Sequence, residues 1–263
     1  MIPTDCYVLR TPTILLNQEV FLMSTRPFVL ITGASRGIGK AIAAAFAREG
    51  CELFLTCRKN IALLEELKLE LESRYSVRCH ICCCSADDPQ QIERLFHQLP
   101  ALDVLVNNAG ISHVGLLPQL SIEEWRRVMS VNLDSLFYTC KMAIPAMLRQ
   151  KKGRIINISS VWGNMGASME VAYSASKGGV NSFTRALARE LAPSNIQVNA
   201  IACGIIDTQM NEQLSVEELQ SLIEEIPAGR LGRPEEVAKL ALLLSRAPEY
   251  LTGQIITLDG GWT

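Results

Sequence analysis

Phe28-Val29-Leu30-Ile31-Thr32-Gly33-Ala34-Ser35-Arg36-Gly37-Ile38-Gly39 is the stretch on which the architecture turns. Residues 28–32 are apolar or β-branched and read as a buried strand, and a helical pattern begins at Gly39. Between them the glycines follow a G-x-x-x-G-x-G spacing. Glycine there permits a tight turn and lets backbone N–H groups approach a diphosphate, which then sits at a helix N-terminus. The spacing is a variant of the dinucleotide fingerprint, and it has the strand–turn–helix context that the fingerprint requires.

Downstream, β-rich and helical runs alternate. Positions 52–57, 77–84, 103–107, 154–159, 197–202 and 254–258 read as further strands, and 39–48, 61–73, 89–98, 122–150, 172–191 and 235–245 as helices. In the second helix Ile61, Leu64, Leu67 and Leu71 form an apolar stripe. The strands are continuous apolar runs, so both faces of the sheet are expected to be covered by helices. Repeated βα units predict an α/β fold: one Rossmann-type, doubly wound parallel sheet of about seven strands, with helices on both faces. No composition break divides residues 23–263, which read as one domain. Positions 208–230 interrupt the rhythm with a polar excursion holding a short helix over 216–226, readable as a substrate lid or as a plain surface loop. Residues 1–22 read as a disordered N-terminal extension. Their apolar part contains Asn17, Gln18 and Glu19 and suits neither a signal peptide nor a membrane span.

The chain has 263 residues, 48% of them hydrophobic, and a formal charge of −2, which gives no electrostatic case for a nucleic-acid or membrane partner. Nine cysteines, an odd number without disulfide spacing, argue for a reducing, cytoplasmic setting. Cys79-His80-Ile81-Cys82-Cys83-Cys84 superficially suggests a metal cluster. Successive strand residues point to opposite faces, so three consecutive thiolates cannot converge on one ion. A buried strand and no metal is the expectation.

Tyr173-Ser174-Ala175-Ser176-Lys177 puts a phenol and an ammonium four residues apart on one helix face, with Ser160 thirteen residues upstream. A nearby positive charge favours phenolate, so Tyr173 is expected to exchange a proton near neutral pH, while Ser160 can donate to a carbonyl oxygen gaining charge. The second strand ends Leu55-Thr56-Cys57-Arg58-Lys59, without the acid that usually binds both ribose hydroxyls in an NAD site. Arg58 and Arg36 can instead pair with a 2′-phosphate, so NADP(H) is the expected cofactor. Asn107-Asn108-Ala109-Gly110 follows the fourth strand, where small residues admit a cofactor. Asn132 falls within the long helix, either holding a water that links Lys177 to solvent or capping a local irregularity.

In order and spacing, the glycine turn, Asn-Asn-Ala-Gly, Asn132, Ser160, Tyr173 and Lys177 resemble the short-chain dehydrogenase/reductase family over about residues 28–263. Ile226-Pro227-Ala228-Gly229-Arg230-Leu231-Gly232, Thr252-Gly253-Gln254 and Asp259-Gly260-Gly261 resemble its 3-oxoacyl-[acyl-carrier-protein] reductase (FabG) branch. The resemblance implies a catalytic set of Asn132, Ser160, Tyr173 and Lys177. It implies NADP(H) contacts from Gly33, Ser35, Arg36, Gly37, Ile38, Gly39, Arg58, Ser85, Ala86, Asn108, Ala109, Gly110, Tyr173, Lys177, Gly204, Ile206 and Thr208. A homotetramer built on the long helices and the last strand is also implied.

Several positions depart from the pattern. Cys203-Gly204 replaces a usual Pro-Gly, Ser85-Ala86 stands where an Asp or Asn often contacts adenine, and Ser194 replaces a basic residue expected to dock acyl carrier protein, although Lys151 offers another. The segment from Val161 to Ala172 carries Trp162-Gly163 and the carboxylate of Glu170, and looks more like the elongation factor P 5-aminopentanone reductases. The expected activity is NADPH-dependent ketone reduction on an acyl-carrier-protein thioester or, alternatively, on an amine-bearing modified lysine of elongation factor P. A non-catalytic NADP(H)-binding or sensing protein is the remote alternative.

Overall fold

The computed structural model describes residues 26–212 and 215–263; the expected N-terminal extension lies outside them. Seven strands form one sheet: β1 (Phe28–Ile31), β2 (Glu52–Cys57), β3 (Cys79–Cys83), β4 (Val104–Asn107), β5 (Gly153–Ser160), β6 (Ile196–Cys203) and β7 (Ile255–Leu258). Their order is β3-β2-β1-β4-β5-β6-β7 and every pairing is parallel. The chain leaves β1 for β2 on one side and later returns to place β4 on the other. The C-terminal ends of β1 and β4 therefore flank the point where a crevice must open.

The helices are α1 (Gly37–Arg48), α2 (Ile61–Tyr75), α3 (Pro89–Phe96), α4 (Ile122–Met129), α5 (Ser135–Gln150), α6 (Trp162–Met165), α7 (Val171–Leu191), α8 (Val216–Glu225) and α9 (Pro234–Ser245). Alternation along β1 divides the core. Val29 and Ile31 pack with Ile42 and Phe46 of α1, with Leu64, Leu67 and Leu71 of α2, and with Val237 and Ala241 of α9. Phe28 and Leu30 face the opposite layer, with Ile92 of α3, Met147 of α5 and Leu191 of α7. The expected α2 stripe is thus buried at three of its four positions, with Ile61 packed at the edge.

Helices cover both faces of the sheet, as expected. Two details are corrected, the first being that the edge strands β3 and β7 are only half-buried, with Cys83 exposed. The outermost strand has a neighbour on one side only, and the helices cannot wrap it fully. The cysteine run is therefore an edge strand, buried at Cys79 and again at Cys84 just beyond it. The continuous helix expected over 122–150 is broken by a π turn at Ser130–Asp134. Such turns are uncommon and cluster at functional sites. Asn132 sits inside it, fully buried.

Candidate active site

Strand ends build the crevice from hydrogen bonds that close on each other. The Asn108 amide donates to the carbonyls of Thr32 (3.0 Å) and Gly33 (2.9 Å). The Thr32 hydroxyl in turn accepts from the backbone N–H groups of Asn108 and Ala109, at 3.0 and 3.1 Å. These bonds weld the glycine turn to the end of β4. A Cβ at Gly39 would lie 2.4 Å from the Gly33 carbonyl oxygen, so the turn can fold back this tightly only around glycine. After β6, Ile206 bridges to Gly232, and Thr208 packs against Gly37.

A cavity of about 1030 Å³ runs along these ends. Gly33, Ser35, Arg36, Gly37, Ile38, Arg58, Ser85, Ala86, Asn108, Ala109, Gly110, Gly204, Ile206 and Thr208 line it, together with Ser160, Tyr173 and Lys177. Two expected residues do not line it. Gly39 is consumed in the turn, and Asn132 lies behind the wall. Asn108 is on the wall, but its amide is already committed to the turn. Gln209, Met210, Asn211 and Leu222 also line the cavity, so part of the excursion over 208–230 borders the crevice.

At one end Arg36 and Arg58 are exposed on the rim. Sequence reading missed Asp87 there: it lines the cavity and accepts a hydrogen bond from the Ser85 hydroxyl. Its signal was the Asp87-Asp88 pair. Asp88 caps α3 through the backbone N–H groups of Gln90 and Gln91, which leaves Asp87 to face inward.

At the other end the Ser160 hydroxyl accepts the Trp162 backbone N–H at 3.2 Å and lies on the same cavity wall as the Tyr173 side chain, near enough to oppose the rise in its pKa. Lys177 is buried (4% exposed), and its ammonium donates to the Ile158 carbonyl at 2.8 Å while lying 5.6 Å from the Tyr173 ring centroid. The Asn132 side chain accepts from Ile111 N–H (2.8 Å) and donates to the Ile111 carbonyl (2.9 Å) and the Ser176 hydroxyl (3.0 Å). Asn132 is thus a clamp between the π turn, the loop after β4, and α7. Glu170 is half-buried on the wall near the Trp162 side chain, and the Trp162 ring meets that of Trp262 edge-on, 4.8 Å between centroids.

Electrostatically the site departs from expectation. Burial raises the Tyr173 pKa, with further upward pushes from Cys203 and Glu170 that outweigh the Ser160 hydrogen bond. Burial likewise pushes Lys177 down to about 8, opposed by Cys203. Lys177 therefore does not lower the phenol's pKa here. Its ammonium is directed at the Ile158 carbonyl and the face of the ring, so desolvation dominates. Burial also raises the Glu170 carboxyl, opposed by its bond to Trp162. Among the described residues, no three His, Cys, Asp or Glu side chains are grouped to hold a metal.

Comparison with known proteins is consistent with this geometry. The profile of the short chain dehydrogenases matches residues 27–219. The chain belongs to that family. It is 39% identical to the uncharacterized oxidoreductase YmfI of Bacillus subtilis (strain 168), over 89% of this chain and 97% of that protein. It is also 39% identical to the 3-oxoacyl-[acyl-carrier-protein] reductase FabG of Aquifex aeolicus (strain VF5), over 88% of this chain and 95% of that one. A solved structure from Agrobacterium tumefaciens, provisionally assigned as a 2-deoxy-D-gluconate 3-dehydrogenase and containing bound NADP, superimposes with a TM-score of 0.83 at 34% identity, covering 91% of this chain and 97% of that one. The protein is an NAD(P)-dependent oxidoreductase.

The Lys177 environment makes a prediction. With its pKa at about 8 in the fold against the usual 10.5, an unfolded chain holds a proton between those values that the folded one has released. Stability therefore rises with pH across that window, while below it the full cost of a buried ammonium is present. Lys177→Met removes the group. Urea titrations should show the parent gaining stability relative to Lys177→Met from about pH 8 to about pH 10.5. Parallel pH profiles would refute the assigned burial.

Proposed function

We propose that this protein is an NADPH-dependent ketone reductase in which Tyr173 gives a proton to the carbonyl oxygen of the substrate. The reading is carried by one observation: Tyr173, Ser160 and buried Lys177 converge on the wall of a cavity that begins at the glycine turn. The turn suits a dinucleotide, since a Cβ at Gly39 would collide with the Gly33 carbonyl and the turn opens into the cavity. Gly33 to Gly39 would hold the diphosphate, Arg36 and Arg58 the 2′-phosphate, and the nicotinamide would supply the hydride.

The protein's own groups do the rest. Ser160 orients the carbonyl and donates to its oxygen as charge develops. A raised tyrosine pKa suits a group that must arrive protonated and lose its proton only as that charge appears. Lys177 supplies positive charge beneath the ring and holds the ribose, and Asn132 keeps α7 and the loop after β4 in register.

A 3-oxoacyl thioester on acyl carrier protein is the leading substrate, supported by the identity to FabG proteins. A homotetramer in the cytoplasm completes the reading. It is supported by apolar side chains exposed on α5 (Phe137, Leu148) and by the half-exposed β7 edge. No helix among the described residues is long and apolar enough to cross a membrane.

Glu170 favours a second reading, a ketone that also bears an amine, as in a modified lysine of elongation factor P. A half-buried carboxylate on the cavity wall, its pKa raised by burial, is a costly feature that an ammonium would compensate.

Tyr173→Phe should abolish ketone reduction while NADPH still binds, because the ring's packing survives and the proton donor does not; turnover within about tenfold of the parent would sink the mechanism. Arg58→Asp should shift preference from NADPH toward NADH by removing a phosphate partner and adding a repelling charge. Unchanged relative kcat/KM values for the two cofactors would reduce Arg58 to a surface charge. Glu170→Gln should depress turnover of a small amino-ketone while sparing a neutral acetoacetyl thioester, and an equal response of both substrates would return the protein to the thioester reading.

A further inference from the structure

Cys57, Cys82, Cys83 and Cys84 lie at the C-terminal ends of β2 and β3, next to Arg58. The register places Cys57 directly opposite Cys83, close enough for each thiol to perturb the other. Paired residues on adjacent strands project to the same face with backbones about 4.8 Å apart. That separation falls within the roughly 4.4–6.8 Å between Cα atoms that a disulfide spans. The two thiols differ in access: Cys83 is exposed to solvent, whereas Cys57 is buried and lines the cavity. Cys83 also donates its S–H to the Arg58 carbonyl at 2.9 Å. The neighbouring cysteines are placed differently. Cys82 alternates to the other face of the strand, and Cys84 is buried in the core.

We propose that Cys57 and Cys83 are a dithiol that a hydroperoxide oxidises to a disulfide, and that the cross-link weakens nicotinamide-cofactor binding by displacing Arg58. The second half rests on the reading of Arg58 as a 2′-phosphate contact. The exposed Cys83 sulfur attacks the peroxide oxygen; an S–O bond forms, the O–O bond breaks, and water leaves when hydrogen peroxide is the oxidant. Cys57 then attacks the resulting sulfenic acid at sulfur; the S–S bond forms, the S–O bond breaks, and the departing hydroxide takes the Cys57 proton as a second water. Two sulfurs have together lost two electrons and one peroxide has gained them.

Burial and the neighbouring Cys83 push the Cys57 thiol up to about 11, which suits it to the resolving step rather than to the first attack. Bridging consumes the Cys83 S–H and so removes its bond to the Arg58 carbonyl. It also draws Cys57, the residue bonded to Arg58, toward β3. In a reducing compartment such a bond would be transient, as redox-sensing disulfides are.

The test uses the full-length protein treated with hydrogen peroxide or with dithiothreitol. Trypsin releases Cys57 in the peptide 49–58 and Cys83 in the peptide 79–94. After peroxide these should be recovered joined, lighter than their sum by two hydrogen atoms, and fragmentation should place the bond at Cys57 and Cys83. The Kd for NADPH, read by cofactor fluorescence, should rise about tenfold and recover with dithiothreitol. Cys83→Ser should bind NADPH normally and ignore peroxide, while Cys82→Ser should still cross-link. No joined peptide, a bond to another cysteine, or a correct bond with unchanged Kd would each overturn the proposal. NADPH binding no tighter than NADH in the reduced protein would instead sink the 2′-phosphate assignment, and would leave the peptide map to decide the disulfide separately.

Discussion

Every part of the site hangs on the junction of β1 and β4, where Thr32 and Asn108 exchange hydrogen bonds. It satisfies two carbonyls of the glycine turn and two N–H groups after β4 at a part-buried place on the cavity wall. A buried backbone group left unmet costs about 1–3 kcal/mol, and access to solvent lowers that figure here. The junction sets where the turn ends, where α1 begins, and how wide the crevice opens. Only glycine fits at position 39 in the first turn of α1, because the Gly33 carbonyl occupies the space a Cβ would take.

A second chain of polar contacts carries that rigidity across the sheet. Asn107 donates to Asn157, Asn157 donates to Thr184 on α7, and Thr139 on α5 donates back to Asn107, all buried. Above them Asn132 joins the loop after β4 to Ser176. These networks register α7 against β5, so the tyrosine and lysine of one helix meet a serine from the end of a strand. Gly163 tightens the same contact, since a Cβ there would fall 2.6 Å from the Lys177 carbonyl carbon. The cost of this precision is desolvation, visible as a phenol and an ammonium both pushed toward their neutral forms.

Charge is unevenly spread along the cavity. Arginines sit on the rim at one end, and a buried lysine and a half-buried carboxylate face each other's neighbourhood at the other. The basic end suits phosphate, and its arginines remain accessible to solvent. Near the carboxylate at the far end, Trp162 packs on Trp262, whose own N–H reaches Glu225 at the end of α8. These contacts tie α8 to α6 beside the cavity wall.

The sequence by itself determined the order of elements, the parallel sheet and the stations of the site. Those properties are written locally: apolar runs of strand length, glycines at a strand–helix turn, and a tyrosine and lysine one helical turn apart. It also told that the chain around 208–230 is an insertion, since the βα rhythm stops there. Tertiary structure decided what depends on distance and burial between segments remote in sequence. Asn132 reads as a weak helix former, and its bonds to Ile111 and Ser176 from within a π turn appear only in the fold. The direction of the Tyr173 shift follows from its burial, which spacing along a helix does not specify. Asp87 facing the cavity, Glu170 half-buried on its wall, and Cys57 beside Cys83 likewise require the fold. Periodicity encodes which face a residue takes, but desolvation and pairing arise only once two faces have met.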